Sequence, residues 1–177
     1  PAFWLKDAMI CNFCYNATEP NLGLSLSADH TTFKCYMADT GLLVSHAFDE
    51  NELASESIHK RLMTGDLSVN EGMLMENVVA QTLVASGRKL YFYSRSDPYD
   101  RKERMEIDFL IAKSKLARKN NVGAVEVKSG KRVRHASLEK VQAKFSDFLS
   151  EPFIFHSGDV KVSKGVKCLP LYMISCL

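Results

Sequence analysis

Apolar residues recur with two different periods in the second half of the chain, and the order of these periods predicts its elements. A helical repeat covers residues 70–86, where Ser68 or Asn70 can cap the start and Gly87 follows the end. Strand-like runs and a second amphipathic helix follow at 89–94, 105–112, 122–128, 137–149 and 153–155. This α, β, β, β, α, β order predicts an α/β fold with a mixed sheet and helices on both faces.

The first half of the chain has a weaker pattern. Residues 1–16 have an amphipathic, helix-like pattern, and residues 16–30 are rich in Asn, Pro, Gly and Ser, which is typical of a loop. A strand is predicted at 32–37, and a polar peripheral helix at 50–63. We therefore predict that residues 1–30 are the remnant of a preceding segment with a linker, and that 31–177 form one domain.

Composition is that of an ordinary globular protein, with 177 residues of which 46% are hydrophobic and 25% charged. No apolar run approaches the roughly 20 residues of a membrane helix, so no membrane partner is expected. The five cysteines are odd in number, which favours a reducing, cytoplasmic compartment. Cys11 and Cys14 form a C-x-x-C without a second pair at zinc spacing, and we interpret them as small buried hydrophobic residues.

The net charge of +2 says little about partners, but the distribution of charge says more. One basic segment contains a single acid, Glu126, and these basic residues: Lys113, Lys115, Arg118, Lys119, Lys128, Lys131, Arg132 and Arg134. Such a local excess suggests an anionic partner such as DNA. The alternative interpretation is a set of solvated, lysine-rich loops.

Two predicted strands carry the candidate chemistry. Side chains alternate between the faces of a strand, so Glu126 and Lys128 share a face, and Asp108 is expected opposite the apolar Ile107 and Phe109. If the strands are neighbours, the three side chains can converge on one face. Two carboxylates and a backbone carbonyl, that of Val127, make an oxygen-rich site suited to Mg²⁺ or Mn²⁺. The lysine can position a water and offset phosphate charge.

Glu76 and Gln142 are candidates of a second kind, because both lie on predicted helices beside these strands. Glu76 is in line with the apolar stripe of the helix at 70–86, where a carboxylate is costly unless it is paired or bound to a cation. The alternative is a stripe-edge residue that reaches water. For Asp108 and Glu126 the corresponding alternatives are a pair with a nearby arginine and a solvated strand face.

Five segments in order resemble a known family: Tyr36-Met-Ala-Asp-Thr-Gly-Leu-Leu43, Glu76-Asn-Val-Val-Ala-Gln81, Glu106-Ile-Asp-Phe-Leu110, Glu126-Val-Lys-Ser-Gly130 and Leu169-Pro-Leu-Tyr172. The arrangement resembles the PD-(D/E)XK superfamily, and more closely the C-terminal domain of a family of bacterial and archaeal AAA-type ATPases. There an ATPase domain and a winged-helix segment precede a nuclease-like domain.

The resemblance implies a restriction-endonuclease-like αβββαβ core and roles for individual residues. Asp108 and Glu126, with the Val127 carbonyl, would bind Mg²⁺ or Mn²⁺, Lys128 would be the catalytic lysine, and Glu76 an auxiliary acid. Gln142 falls where some members keep a polar active-site residue. The winged-helix-like segment would correspond to residues 1–30, and an upstream ATPase domain is the implied partner.

Three classes of function follow from these observations. The first is a metal-dependent phosphodiesterase acting on DNA, with Lys131, Arg132, Arg134 and Gln142 contacting the nucleic acid. The second is a non-catalytic DNA- or partner-binding module of the ATPase, and the third a structural lid or oligomerisation module. The chain has no G-x-x-x-x-G-K-[ST] loop, so no ATPase site can be assigned to these residues.

Overall fold

A computed structural model describes residues 3–21, 23–48, 71–96, 99, 104–113, 121–129 and 136–177. Its centre is an eight-stranded mixed sheet of order β2-β1-β3-β4-β5-β6-β8-β7. The strands are β1 (Cys11–Ala17), β2 (Ala28–Met37), β3 (Leu90–Arg95), β4 (Met105–Ala112), β5 (Val122–Lys128), β6 (Phe153–His156), β7 (Lys161–Ser163) and β8 (Val166–Pro170). The helices are α1 (Phe3–Asp7), α2 (Thr40–Phe48), α3 (Glu71–Ala85), α4 (Ala136–Lys144) and a terminal 3-10 helix (Leu171–Cys176).

The predicted α, β, β, β, α, β order is confirmed by α3, β3, β4, β5, α4 and β6. β3, β4 and β5 form an antiparallel meander, and α4 is the crossover that makes β6 parallel to β5. The end of α3 also follows the prediction. Gly87 has a φ of 77°, and the N–H groups of Gly87 and Arg88 donate to the carbonyls of Val84 and Leu83, which closes the helix.

Two apolar clusters cover the two faces of the sheet. The face covered by α3, which we call the α3 face, includes Met75, Val79, Phe109, Val125, Val127 and Phe155. The opposite face, the α4 face, includes Ile107, Leu110, Ala124, Leu138, Val141 and Ile154. Burying a side chain of this size contributes about 1.5–3 kcal/mol, so these two layers hold both helices against the strands that carry the candidate site.

The first half of the chain differs from the sequence prediction. The helix predicted over residues 1–16 is wrong for most of that range, because only α1 is helical and β1 follows it. β1 pairs with β2 and, in parallel, with β3. Tertiary pairing thus overrides the local pattern. The domain division at residue 30 stays a prediction, but it does not coincide with an edge of the sheet.

Some further elements were not predicted, and some predicted segments lie outside the described residues. The residues after Asp39 form helix α2, and the hairpin of β7 and β8 follows β6. The helix predicted at 50–63 and the basic residues Lys131, Arg132 and Arg134 lie outside the described residues. No helix in the described ranges is long and apolar enough to cross a membrane.

A buried amide network joins α3 to the turn after β2. The side chain of Asn77 accepts a hydrogen bond from the Met37 N–H at 2.8 Å and donates to the Met37 carbonyl and to Thr40 Oγ1. Gln81 Oε1 accepts from the N–H and the hydroxyl of Thr40. Two residues of the Glu76–Gln81 segment thereby have a structural role, since they fix β2 against the helix.

Candidate active site

The candidate site lies where β4 and β5 separate. These strands pair from Ala112 and Val122 to Phe109 and Val125, and beyond that point β4 continues along β3 while β5 continues along β6. The next residues, Asp108 and Glu126, stand on the two sides of the opening, which we call the fork. The Val127 N–H donates to Asp108 Oδ2 at 2.8 Å, so the Asp108 carboxylate spans the fork and is held in place there.

A β-bulge sets the direction of Asp108. Tyr91 pairs with Leu110 and Tyr93 with Ile107, so the two residues Asp108 and Phe109 oppose the single residue Phe92. The bulge interrupts the alternation of β4, because Ile107 packs on the α4 face and Phe109 on the α3 face. The expectation that Ile107 and Phe109 share an apolar side opposite Asp108 is therefore wrong.

Glu126 and Lys128 form an ion pair at the other side of the fork. Lys128 Nζ lies 3.2 Å from Glu126 Oε2, and Glu126 is only 3% exposed. Their neighbours Val125 and Val127 pack on the α3 face. By alternation, the side chains of Glu126 and Lys128 leave β5 on the α4 face. The three predicted residues therefore border the fork from both faces, instead of lining one face.

Burial sets the charge state that Glu126 favours. Removal of its carboxylate from water raises its pKa, and the positive charge and hydrogen bond of Lys128 lower it. The negative charges of Asp108 and Glu106 raise it further, and the net pKa is above the ordinary value. An additional positive charge in the fork would therefore favour the ionised form.

A second cation, Lys34 on β2, reaches the same region from the α3 face. Lys34 Nζ lies 2.8 Å from Glu106 Oε1, 3.9 Å from Asp108 Oδ1 and 5.2 Å from the centroid of the Phe92 ring. Burial alone would lower the pKa of Lys34, but the hydrogen bond to Glu106 and the nearby carboxylates outweigh it, so the pKa is raised. Lys34 thus stays protonated and neutralises this side of the site.

Glu76 extends the site onto α3. Its Oε2 accepts a hydrogen bond from the Tyr36 hydroxyl at 3.1 Å. Burial and the charge of Asp108 raise the pKa of Glu76, whereas Lys34 and the Tyr36 hydrogen bond lower it, and the net shift is upward. Glu76 is therefore not a solvated stripe-edge residue, because it faces Asp108 and Lys34 across the α3 face.

Replacing Glu76 by Gln is expected to stabilise the metal-free chain at neutral pH by about 0.5–1 kcal/mol, a value kept small because the side chain is partly exposed. Gln keeps an acceptor for Tyr36 but carries no charge. Since the pKa of Glu76 is raised, the folded chain loses stability as pH rises from the ordinary value of 4.5 toward the folded value.

The increase in stability caused by Glu76→Gln should therefore grow across that pH window and then level off. Urea unfolding from pH 4 to pH 8 in the presence of a chelator measures it, and Glu139→Gln on the exposed side of α4 is the matched control. A stability difference that does not change with pH would show that Glu76 has no raised pKa in solution.

Sequence reasoning did not single out Lys34, Tyr36, Glu106 or His156. The spacing along the strands was a usable signal. Lys34 and Tyr36 lie two residues apart on one strand, as do Glu106 and Asp108 on another, and residues at this spacing share a face of a regular strand. His156 on β6 is in register with Lys128. Its Nδ1 accepts the Gly158 N–H, and its Nε2 is buried without a hydrogen-bond partner among the described residues.

Gln142 does not lie at the fork. It lines a cavity of about 470 Å³ together with Lys113 and Ser150, and this cavity is at the opposite end of the β4–β5 pair, where Ser150 bonds to Val122. The structure thus brings together Asp108, Glu126, Lys128 and Glu76 but not Gln142.

Comparison with protein families matches residues 71–174, more than half of the chain, to the domain of unknown function DUF4143. The chain belongs to the DUF4143 family. The DUF4143 match begins with α3 and ends in the terminal 3-10 helix, so it contains Glu76, Asp108, Glu126 and Lys128, whereas Lys34 precedes it. No curated protein and no solved structure matches the chain.

Proposed function

We propose that this chain is a nuclease-like domain of an AAA-type ATPase and acts as a metal-dependent phosphodiesterase on DNA. The observation that carries the proposal is the fork, where neighbouring strands present Asp108 and Glu126 on its two sides and Lys128 beside Glu126. Buried carboxylates of this kind destabilise the fold when they are ionised without a cation. Two such carboxylates beside the point where the β4–β5 pairing ends therefore favour a functional role.

The donor set fits Mg²⁺ or Mn²⁺ in chemistry and in number. Both ions prefer oxygen ligands, and Mg²⁺ is commonly bound by one or two carboxylates, with water and substrate phosphate completing the shell. Asp108, Glu126 and the Val127 carbonyl would supply such a partial set. Among the described residues no group of three His, Cys, Asp or Glu side chains is arranged to hold a metal, so water and substrate phosphate would have to supply the other ligands.

When bound, the ion would lower the pKa of a water and polarise the phosphate. The chain's own residues would orient the reacting groups and balance their charge. The Val127 N–H fixes Asp108, and Lys128, whose side chain is about one-third exposed at 32%, can extend from Glu126 to a phosphate oxygen. Glu76, held by Tyr36, can accept a proton because its pKa is raised.

The direct test is cleavage of linear, circular and branched DNA by the purified chain, and by a form that includes any upstream ATPase domain, in Mg²⁺ and in Mn²⁺. Divalent-dependent cleavage that a chelator abolishes is the expected result. Absence of cleavage of every substrate by both forms, under conditions where the chain is folded, would overturn the enzymatic proposal.

Lys128→Met is expected to lower turnover by about 10–100-fold while metal binding persists, because the lysine acts on water and phosphate and not on the ion. Mn²⁺ titration and DNA cleavage are measured on the same preparation. Lys167→Met is the matched control, since Lys167 also pairs with a glutamate, Glu151, at 2.7 Å. Equal activity of Lys128→Met and Lys167→Met would remove Lys128 from the proposed mechanism.

One observation favours the second candidate, a non-catalytic DNA- or partner-binding module. Lys34 already contacts Glu106 and lies close to Asp108, and Lys128 already pairs with Glu126. Each of the two fork carboxylates therefore already has a lysine near it, and such an arrangement is stable without a metal. In this case the basic segment around residues 131–134 would carry the interaction.

If the chain binds DNA, affinity is expected to fall steeply with salt, because bound phosphates release their counterions. Replacing Lys131, Arg132 and Arg134 together by Ala should reduce the slope of log affinity against log salt by about two to three. Fluorescence anisotropy across a salt series measures the slope. An unchanged slope would assign the contact to another surface, and no binding at low salt would favour a protein partner.

A further inference from the structure

A cavity of about 870 Å³ lies beside the beginning of β1, between α1 and the end of α3. It exists because β1 begins at Cys11 but pairs with β3 only from Cys14 onward. On the far side α3 ends at Ala85, and the chain turns at Gly87 before β3 starts. The sheet is thus open next to residues 11–13, and the cavity fills this opening, away from the fork.

The wall of this cavity is largely apolar and includes side chains that face solvent. Phe13 and Tyr15 line it from β1, Val84 from α3, and Met9 from the segment after α1. Met9 is 82% exposed and Val84 37% exposed. Apolar side chains gain about 25 cal/mol for each Å² removed from water, so an apolar body in this cavity would be bound favourably.

The charges around the cavity have one sign. The cations that line it are Lys6, Arg88 and Lys89, and no Asp or Glu is among the described residues that do so. Lys6 Nζ lies 5.4 Å from the Tyr15 ring centroid, and the His30 ring packs against the same ring at 4.7 Å. Lys6 therefore lies against an aromatic wall, and a low-dielectric wall strengthens the attraction of a cation for an anion.

Arg88 is held in the wall by backbone carbonyls. Its guanidinium donates to the Ala112 carbonyl and to the main-chain oxygen of Leu177, so its position in the wall is fixed. Gln81 is similarly fixed, because its Oε1 accepts from Thr40. Part of the lining is thus positioned before any ligand binds, which lowers the entropy cost of binding.

We propose that this cavity binds a small organic anion with an aromatic or aliphatic body, with the negative group near Lys6 and Lys89. Its volume lies in the range of about 300–1,000 Å³ that is usual for small-molecule sites. An apolar wall, with cations and no acidic side chain among the described lining residues, favours a molecule that has an apolar body and a negative group. The inference does not depend on the proposed nuclease function, because none of these residues borders the fork.

Two fluorescent probes of similar size test the proposal: anilinonaphthalene sulfonate, which is anionic, and phenylnaphthylamine, which is neutral. We expect the folded chain to bind one sulfonate probe per molecule, and the neutral probe about 5- to 30-fold more weakly. Lys6→Gln with Lys89→Gln should remove this preference, whereas the charge-matched pair Lys161→Gln with Lys164→Gln, on the exposed β7–β8 hairpin, should keep it.

Ala85→Phe is the complementary variant, because Ala85 is exposed on α3 and lines the cavity. The larger ring should fill part of the space and lower the affinity for both probes. Cooperative thermal unfolding of each variant shows that it is folded. Equal affinity for the two probes, binding that neither set of variants changes, or no saturable binding would each overturn the proposal.

Discussion

Replacing Glu126 by Gln, or Asp108 by Asn, is expected to reduce divalent-dependent DNA cleavage by more than about 100-fold. Loss of a residue that only supports a metal ligand typically costs about 10–100-fold, and these two residues are the proposed ligands themselves. Each amide keeps the volume of the acid and its hydrogen-bonding shape but carries no negative charge. Steady-state cleavage rates at saturating Mg²⁺ and at saturating Mn²⁺ measure the loss.

Matched controls separate this effect from a general loss of charge. Glu139→Gln and Asp147→Asn make the same chemical changes at exposed positions, and both variants should keep parental activity. Glu126→Gln should also remain folded, since removing a buried carboxylate whose pKa is raised relieves an unfavourable charge at neutral pH. Cleavage that survives both Glu126→Gln and Asp108→Asn would show that the activity comes from another site or from a contaminant.

Asn77→Ala is expected to lower the free energy of unfolding by about 3 kcal/mol, the largest stability effect that we predict. Asn77 is 2% exposed and makes three hydrogen bonds, to both backbone groups of Met37 and to Thr40. Its removal leaves partly buried backbone groups of Met37 without these partners, and a fully buried group in that state costs about 1–3 kcal/mol. For a chain of this size the melting temperature should fall by about 6–12 °C.

Two further variants sharpen the Asn77 test. Asn77→Asp keeps the acceptor for the Met37 N–H but loses the amide donor and places a charge in a buried position, so it should be at least as destabilising as Asn77→Ala. Asn21→Ala removes an asparagine whose hydrogen bonds join only neighbouring residues of one loop, and it should cost less than about 1 kcal/mol. A similar, small effect of Asn77→Ala and Asn21→Ala would contradict the structural role of this network.

The sequence predicted the second half of the fold well because its elements follow local periods. The repeat of α3 and the apolar strands β4 and β5 match the packing that they make on the two faces. β1 was not predictable in this way. Its residues alternate weakly, and it becomes a strand because β2 and β3 supply partners that are 11 to 76 residues away in sequence.

The candidate site was predicted in its members but not in its geometry. The sequence assigned Asp108 to one predicted strand and Glu126 with Lys128 to another, and the pairing of β4 with β5 shows that these strands are neighbours. The bulge at Asp108 and Phe109 leaves no mark in the pattern of apolar residues, so alternation wrongly put Ile107 and Phe109 on one side of β4. Lys34 was overlooked because its contact with Glu106 depends on the position of β2 in the sheet.

Binding of Mn²⁺ to the purified chain, followed by the loss of the free-ion signal in electron paramagnetic resonance, shows whether the fork holds a metal ion. We expect one bound ion per chain, a large loss of affinity in Asp108→Asn and in Glu126→Gln, and no change in Glu139→Gln. Lys34→Met should bind Mn²⁺ more tightly than the parent, because it removes the cation that lies 3.9 Å from Asp108. No saturable binding by the parent, or equal binding by the parent and both carboxylate variants, would contradict a metal site at the fork.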